Sequence, residues 1–455
     1  MNTVNKSVTI PPGHYSHQKH VTIITAYVII DHMSKPLVTI LGKTIRNIAR
    51  LRGGGSALPG LVVEHIDPDF IKRTLATLPY GVVVISGTNG KTTTTKMVVE
   101  LLEGQGLKVF TNRTGSNFTR GVAAALLGDI NIKGQLHADI AVLELDEAHA
   151  VGFVDKVPPR YSLILNVMRD QLDRFGEIDH ITNLLRHIAN ATTDTVVLNR
   201  EDIRIASIAK SLNNQKISFF GLDEKLLHLF PNDDNLHRHI TKQYTKLKSD
   251  VILSKFISNS ATFIIDNKSI TTKLKLNGAY NIFNAAAAIT LVRAIVGKNL
   301  DQKKLINSLS NVSPAFGRGE ILSLNGKPLE LVLVKNPSGF QLGLKSFNPT
   351  GYITMVAIND NYADGRDMSW LWDVNFNSLK KTGVRQISGI RAYDMALRLK
   401  YDEIPVKYID INLKKALRHF INSAPKTPKR IYCTYTAMLA IRHELSKITH
   451  VEAIK

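Results

Sequence analysis

Residues Gly87-Thr88-Asn89-Gly90-Lys91-Thr92-Thr93 put two glycines, a lysine and three threonines within seven positions, between the apolar run 82–85 and a helical pattern. A strand that turns into a helix through glycine-rich backbone points its N–H groups at one place, and such a place binds phosphate oxygens. Lys91 supplies a fixed positive charge for the β- and γ-phosphates of a nucleotide, and the Thr92 hydroxyl is a suitable Mg²⁺ ligand. The general phosphate-loop pattern has a glycine where this chain has Ile85, so the specific signal is the shorter Gly-Thr-Asn-Gly-Lys-Thr string. The alternative is a chance glycine turn, against which the strand–loop–helix context argues.

A metal beside phosphates needs a carboxylate at the end of a neighbouring strand. The run Ala141-Val142-Leu143-Glu144-Leu145-Asp146-Glu147 offers three acids, and strand alternation points Glu144 and Asp146 to one side. Glu144 is the expected Mg²⁺ ligand, weighed against a solvated strand-end acid; Asp146 and Glu147 are left unassigned. The single cysteine, Cys433, lies in an apolar strand pattern and reads as a buried structural thiol. One cysteine excludes an intramolecular disulfide and a Cys-rich zinc site, and fits the cytosol.

The elements that position these residues alternate. Apolar runs at 82–85, 109–110, 140–145, 163–167 and 196–198 are separated by helical stretches, including 93–103, which predicts an α/β domain with a parallel sheet covered on both faces. Its ligand site belongs at the carboxyl ends of the strands. Between 210 and 275 the pattern loosens into polar sequence with β-like runs at 217–220, 251–253 and 262–265, read as an insertion or a small β subregion. An apolar helix over 280–296 follows. A second βα series, with strands expected at 331–334, 353–358, 384–390, 406–409 and 431–435, makes a smaller α/β domain hinged near Ser313-Pro314 and Gly317-Arg318-Gly319. The expected division is 1–52, 53–312 and 313–455, which suits a length of 455 residues.

At the N-terminus, the apolar run 21–30 is roughly half of a bilayer span. Residues 1–32 read as an extension upstream of a start at Met33. Residues 33–52 form a basic amphipathic helix stopped by Gly53-Gly54-Gly55. An ordinary packing helix is the preferred reading; the basic face keeps a membrane-surface helix open. The net charge of +20 predicts attraction to polyanions, but the cations are scattered and no RNA-binding signature is present, so no nucleic-acid partner is expected.

Together with Asn112-Arg113-Thr114-Gly115-Ser116-Asn117, Arg169-Asp170-Gln171-Leu172-Asp173-Arg174-Phe175-Gly176-Glu177, Gly278-Ala279-Tyr280-Asn281 and Gly317-Arg318-Gly319-Glu320, the phosphate loop and the Glu144 string resemble the Mur ligases from about Met33 onward. The string Asn359-Asp360-Asn361-Tyr362-Ala363-Asp364-Gly365-Arg366-Asp367-Met368-Ser369-Trp370-Leu371-Trp372-Asp373 resembles the C-terminal domain of the MurT branch rather than that of amino-acid-adding ligases.

The resemblance implies a Mur ligase-like central domain with a Rossmann-like C-terminal domain, and ATP and Mg²⁺ as cofactors. It implies amidation of the α-carboxyl of D-glutamate in lipid II through an acyl phosphate. Ammonia would come from a GatD-like glutaminase in a heterodimer, in the cytoplasm or at the inner membrane face. By the same resemblance Lys91 and Thr92 hold phosphate and Mg²⁺, Glu144 supports the metal, Asn281 contacts adenine, and Arg318 contacts ATP phosphates. Asp367 completes a Cys-His-Asp triad whose other members lie in the partner; without the resemblance it reads as a loop acid capping a turn. Asn336, Pro337 and Gly339 match the loop opening the last Mur domain, with Lys335 available to phosphate. Trp370 and Trp372 read as packing or interface anchors.

Two departures stand out. Many MurT chains carry a four-cysteine zinc ribbon, whereas 210–275 has no cysteine, and His228, His237 and His239 lack metal-ligand spacing, so no zinc is expected. Gln171 stands where some Mur ligases place a histidine for a second metal. Competing readings are an amino-acid-adding Mur-type ligase needing no glutaminase, and a basic nucleotide-binding scaffold for nucleic acid or membrane.

Overall fold

A computed structural model describes residues 35–51, 57–112, 117–168, 178–230, 247–257, 259–276, 278–313 and 318–451, without the side chains of Lys35, Arg50, Ala57 and Arg318. Expectations for the N-terminal extension, for 113–116, 169–177 with Gln171, His237, His239, the 314–317 hinge and the Arg318 side chain fall outside it.

The first sheet contains β1 (Val82–Ser86), β2 (Val109–Thr111), β3 (Ile140–Glu144), β4 (Tyr161–Ile164), β5 (Thr195–Asn199), β6 (Lys216–Leu222), β7 (Val251–Ile257), β8 (Ser260–Ile265) and β9 (Lys268–Lys273). Their order is β2-β3-β1-β4-β5-β6-β7-β8-β9, parallel as far as β7 and antiparallel over β8 and β9. Every residue of β1 is buried because both faces are covered. Val83 and Ile85 pack with the helices Lys91–Gly104 and Ala279–Val296, while Val82 and Val84 pack with Thr119–Asp129 and Glu147–Lys156 on the other side. The helix Ala279–Val296 is apolar and long enough to cross a membrane, yet most of it is buried in this core.

The strands after residue 210 do not form a separate unit: β6 pairs with β5, and β7 with β6, in the same sheet. Their sequence reads as polar because the final strands are half exposed; β9 runs Lys268-Ser269-Ile270-Thr271-Thr272-Lys273 along the sheet edge, and edge lysines discourage pairing with other chains.

The second sheet contains β10 (Arg318–Leu324), β11 (Lys327–Leu333), β12 (Ile353–Ala357), β13 (Val384–Ser388), β14 (Val406–Asp410) and β15 (Lys429–Cys433), in the order β10-β11-β15-β12-β13-β14. Only β10 is antiparallel to its neighbour. The hairpin β10–β11 adds a strand, β10, ahead of the first one expected in this domain, at 331–334. Cys433 is fully buried in β15, and burial pushes its thiol pKa up, as befits a core residue. Because β15 slots between β11 and β12, the segments leaving those two strands diverge at their carboxyl ends, the usual place for a ligand crevice in such sheets.

Candidate active site

The loop after β1 lies between β3 and β4, at the carboxyl ends of parallel strands. Gly87 and Gly90 take φ of 131° and 90°, which side chains with a Cβ rarely adopt. A Cβ at Gly90 would also come within 2.7 Å of the Asn284 amide nitrogen, so both conformation and space call for glycine. The helix begins at Lys91, two residues earlier than expected.

The loop is held from the side by residues following β4. The expected strand over 163–167 ends at Ile164 because the next residues turn to serve the loop. Asn166 accepts from the Asn89 N–H at 2.9 Å and donates to the Asn89 carbonyl at 2.9 Å. Its own carbonyl accepts from the Thr88 N–H at 3.0 Å. The Thr88 hydroxyl donates to the Met168 carbonyl and accepts from the Met168 N–H. These bonds fix the loop before any phosphate arrives, so little ordering cost remains for binding.

Lys91 is buried, its Nζ donating to the Gly87 carbonyl at 2.6 Å and lying 3.3 Å from Glu147 Oε2. The Thr92 hydroxyl donates to Glu144 Oε1 at 2.8 Å, and Asn117 Nδ2 donates to the same oxygen at 3.3 Å. Asn112 brackets the Glu144 backbone, donating to its carbonyl at 2.8 Å and accepting from its N–H at 3.0 Å. Mg²⁺ binds oxygens at about 2.0–2.1 Å in an octahedron, so adjacent ligand oxygens lie about 2.9 Å apart. The Thr92–Glu144 separation fits two neighbouring ligands of one such ion. No group of three or more His, Cys, Asp or Glu among the described residues is placed to hold a metal.

β3 ends at Glu144, so strand alternation does not extend to Asp146, which instead precedes the helix Glu147–Lys156 as its N-cap. Asp146 Oδ1 is buried without a hydrogen-bond partner in the structure. Glu147, unassigned from sequence, is the counter-ion of Lys91. Asn166, also unassigned, carries no signal in its own neighbourhood and is recruited from 77 positions away.

A pocket opens from the loop toward the second sheet, with Asn89, Thr93, Asn166, Asn281, Lys335 and Phe347 in its wall. Asn281 stands at the start of the helix Ala279–Val296, and Tyr280 packs edge-on against Phe230 with ring centroids 5.0 Å apart. Asp202, buried in the same wall, accepts N–H bonds from Val167, Arg204 and Ile205, yet burial raises its pKa to about 6. From the C-terminal side, Asn336 caps the helix Pro337–Ser346 by accepting from the Gly339 N–H, and its amide donates to Asn89 Oδ1 at 3.4 Å. The two domains therefore meet at the phosphate loop.

Asp367 lies outside this pocket, in the segment after β12. Its carboxylate is exposed, accepts from the Ser369 N–H at 2.8 Å, and has its pKa lowered by that bond. The segment around it is rigidly tied: Asn359 N–H donates to the Thr434 hydroxyl, and buried Asp364 accepts from the N–H groups of Asn361 and Thr436. Trp370 is buried against Phe340, whereas Trp372 is half exposed beside Tyr401. His228 is exposed.

Residues 85–292 match the Mur ligase middle domain, and residues 333–438 match the MurT ligase C-terminal domain. The MurT subunit of lipid II isoglutaminyl synthase from Streptococcus pneumoniae is 31% identical over 91% of this chain and 98% of its own length. This chain belongs to the MurT family. The Staphylococcus aureus (strain COL) MurT subunit is 28% identical over 81% of this chain and 88% of its own. This chain also shares the Mur ligase fold with MurF from Acinetobacter baumannii, at a TM-score of 0.65 and 18% identity over 86% of this chain and 80% of that one. MurF from Thermotoga maritima, solved in complex with ADP, aligns at a TM-score of 0.62 and 17% identity over 83% and 82%.

Proposed function

We propose that this MurT-family chain is the synthetase subunit of a lipid II isoglutaminyl synthase, using ATP to amidate the α-carboxyl of D-glutamate in the lipid II stem peptide. The observation that carries the reading is a division within one chain. A partly enclosed nucleotide-type site is built from Gly87–Thr93, Glu144 and Asn166, while Asp367 stands exposed in a MurT-type C-terminal segment.

A carboxylate is a poor electrophile, and phosphorylating it requires an aligned γ-phosphate whose developing charge is neutralised. The N–H groups of Gly87–Thr93 cradle the phosphates, Lys91 meets the β- and γ-oxygens, and Thr92 with Glu144 holds Mg²⁺. Bound there, the ion supplies positive charge to the phosphate oxygens. Asn281 is assigned to the adenine and Arg318 to the phosphates. The central unit is taken as 53–312 and the C-terminal unit as 313–455.

Ammonia reaches the activated carboxyl from a GatD-like glutaminase, forming a cytoplasmic heterodimer. In the glutaminase, a cysteine nucleophile needs a histidine base of fixed tautomer, and Asp367 would accept from that imidazole across the interface. Exposed Trp372, in the Asp367 segment, and Tyr401 beside it support a docking surface there, since aromatic side chains are common interface anchors.

Co-purification with a glutaminase-type protein, then mass measurement of lipid II incubated with ATP and glutamine, tests the reading. Exchange of the D-glutamate carboxyl OH for NH₂ is expected. Addition of a free amino acid by the chain alone would replace the reading with that of an amino-acid-adding ligase.

A further inference from the structure

The pocket between the domains has a phosphate end and a far end. Asn284 marks the first, its amide lying against Gly90 of the phosphate loop. Gly278 stands six residues earlier, at the start of the same helix, about 9 Å back along its axis at 1.5 Å per residue. There the wall facing Gly278 comes from the C-terminal domain, as Ser346 and Phe347 at the end of the helix Pro337–Ser346. The Phe347 Cζ lies 3.4 Å from the place a Cβ on Gly278 would occupy, so the ring reaches across to the central domain. A nucleotide with its phosphates on Gly87–Thr92 turns its base toward this end.

Phe347 is half-buried, and its position is set from the sheet. Glu330 on β11 and Arg430 on β15 stand opposite each other in register and form a buried ion pair, Arg430 Nε donating to Glu330 Oε2 at 2.7 Å. The Tyr352 hydroxyl donates to the other carboxylate oxygen at 2.9 Å, and the guanidinium carbon lies 4.1 Å from the centre of the Tyr352 ring. Arg430 also donates to the carbonyls of Phe347 and Asn348, at 3.3 and 2.8 Å, while its guanidinium lies over the Phe347 ring, 5.2 Å from the centroid. One side chain thus holds both the backbone and the ring of Phe347. A buried ion pair gains little stability over apolar side chains of similar size. What a planar guanidinium adds is fixed geometry, since it bonds carbonyls and stacks on a ring at once.

We propose that Arg430 is a positioning residue for nucleotide binding: braced by Glu330 and Tyr352, it sets the Phe347 ring as the surface on which the base stacks. The inference rests on the proposed nucleotide site and adds to it a base-binding wall supplied by the other domain.

The test is calorimetric titration of the full chain, with Mg²⁺ present, against two probes: ADP, and inorganic tripolyphosphate, which carries phosphates without a base. Wild type is expected to take up both. Phe347→Ala should weaken ADP binding about tenfold or more, the worth of one base–aromatic stack, and leave tripolyphosphate unchanged. Glu330→Leu with Arg430→Leu removes the brace and leaves no unpaired charge in the core, so the fold is kept. This double variant should weaken ADP about threefold or more, again with tripolyphosphate unchanged. Full ADP affinity in either variant would overturn the inference, and so would parallel loss of both probes, which marks a merely structural pair. Wild type that binds neither probe overturns the proposed nucleotide site itself, whatever the variants do.

Discussion

Around the phosphate loop, the polar groups are buried or half-buried and braced by another part of the same chain: Asn166 on Asn89, Glu147 beside Lys91, Glu144 with Thr92. Around Asp367 the backbone is equally well tied, through Asn359, Asp364 and Thr436, but the carboxylate itself is exposed and meets Ser369. Under the proposed function the two regions differ in what they wait for. A site whose missing piece is a small molecule can be enclosed and preorganised in advance. A residue whose missing piece is another protein has to stay on the surface, on a loop stiff enough to present it.

The sharpest way to break this comparison is Asp367→Asn. In the glutaminase complex, glutamine-driven amidation should fall by up to about 10⁴-fold, as when a triad aspartate is lost, while amidation from added ammonia persists. Equal loss of both would place Asp367 in the synthetase chemistry instead.

Lys91→Ala should reduce turnover by about 10³-fold with either nitrogen source, because the charge facing the phosphates is gone. It also leaves Glu147 buried without its cation, a cost of about 3–5 kcal/mol. Adding Glu147→Gln should therefore restore thermal stability without restoring turnover; recovery of turnover would remove Lys91 from the phosphate chemistry.

The buried half should also be the pH-sensitive one. Asp202 has a folded-state pKa near 6, above its ordinary 3.8, so the folded protein holds this proton more tightly than the unfolded chain. Its contribution to stability is full below about pH 4 and is lost as pH rises through about 6, a span of up to about 3 kcal/mol. Urea unfolding of wild type and Asp202→Asn at those two pH values should differ in that sense; parallel pH profiles would show that the three N–H donors keep Asp202 ionised throughout.

Asn166→Ala should have the smallest effect, about 1–3 kcal/mol of stability from unpaired loop groups, with a raised KM for ATP. An unchanged KM would mean that the loop organises itself.

Much of this was legible in the sequence because it is local. The glycine–lysine–threonine string, the Val-rich strand before it and Glu144 at the end of β3 each announce themselves within a few residues. Asn166 and Glu147 were not legible, since an asparagine after a strand and an acid opening a helix have many ordinary uses, and their role comes from parallel strands set side by side. The strands after residue 210 were seen but misplaced as a subregion, because half-exposed edge strands lack the apolar runs of the sheet interior. Asp367 became a candidate only through the string around it; its geometry alone is that of a turn cap.

The central claim is that the loop around Lys91 is a ready-made nucleotide site within this chain. Titration of the purified chain with ADP and Mg²⁺, followed calorimetrically, tests it most directly. Saturable binding that is lost in Lys91→Ala is the predicted result, and wild-type protein that takes up no adenine nucleotide would contradict the account.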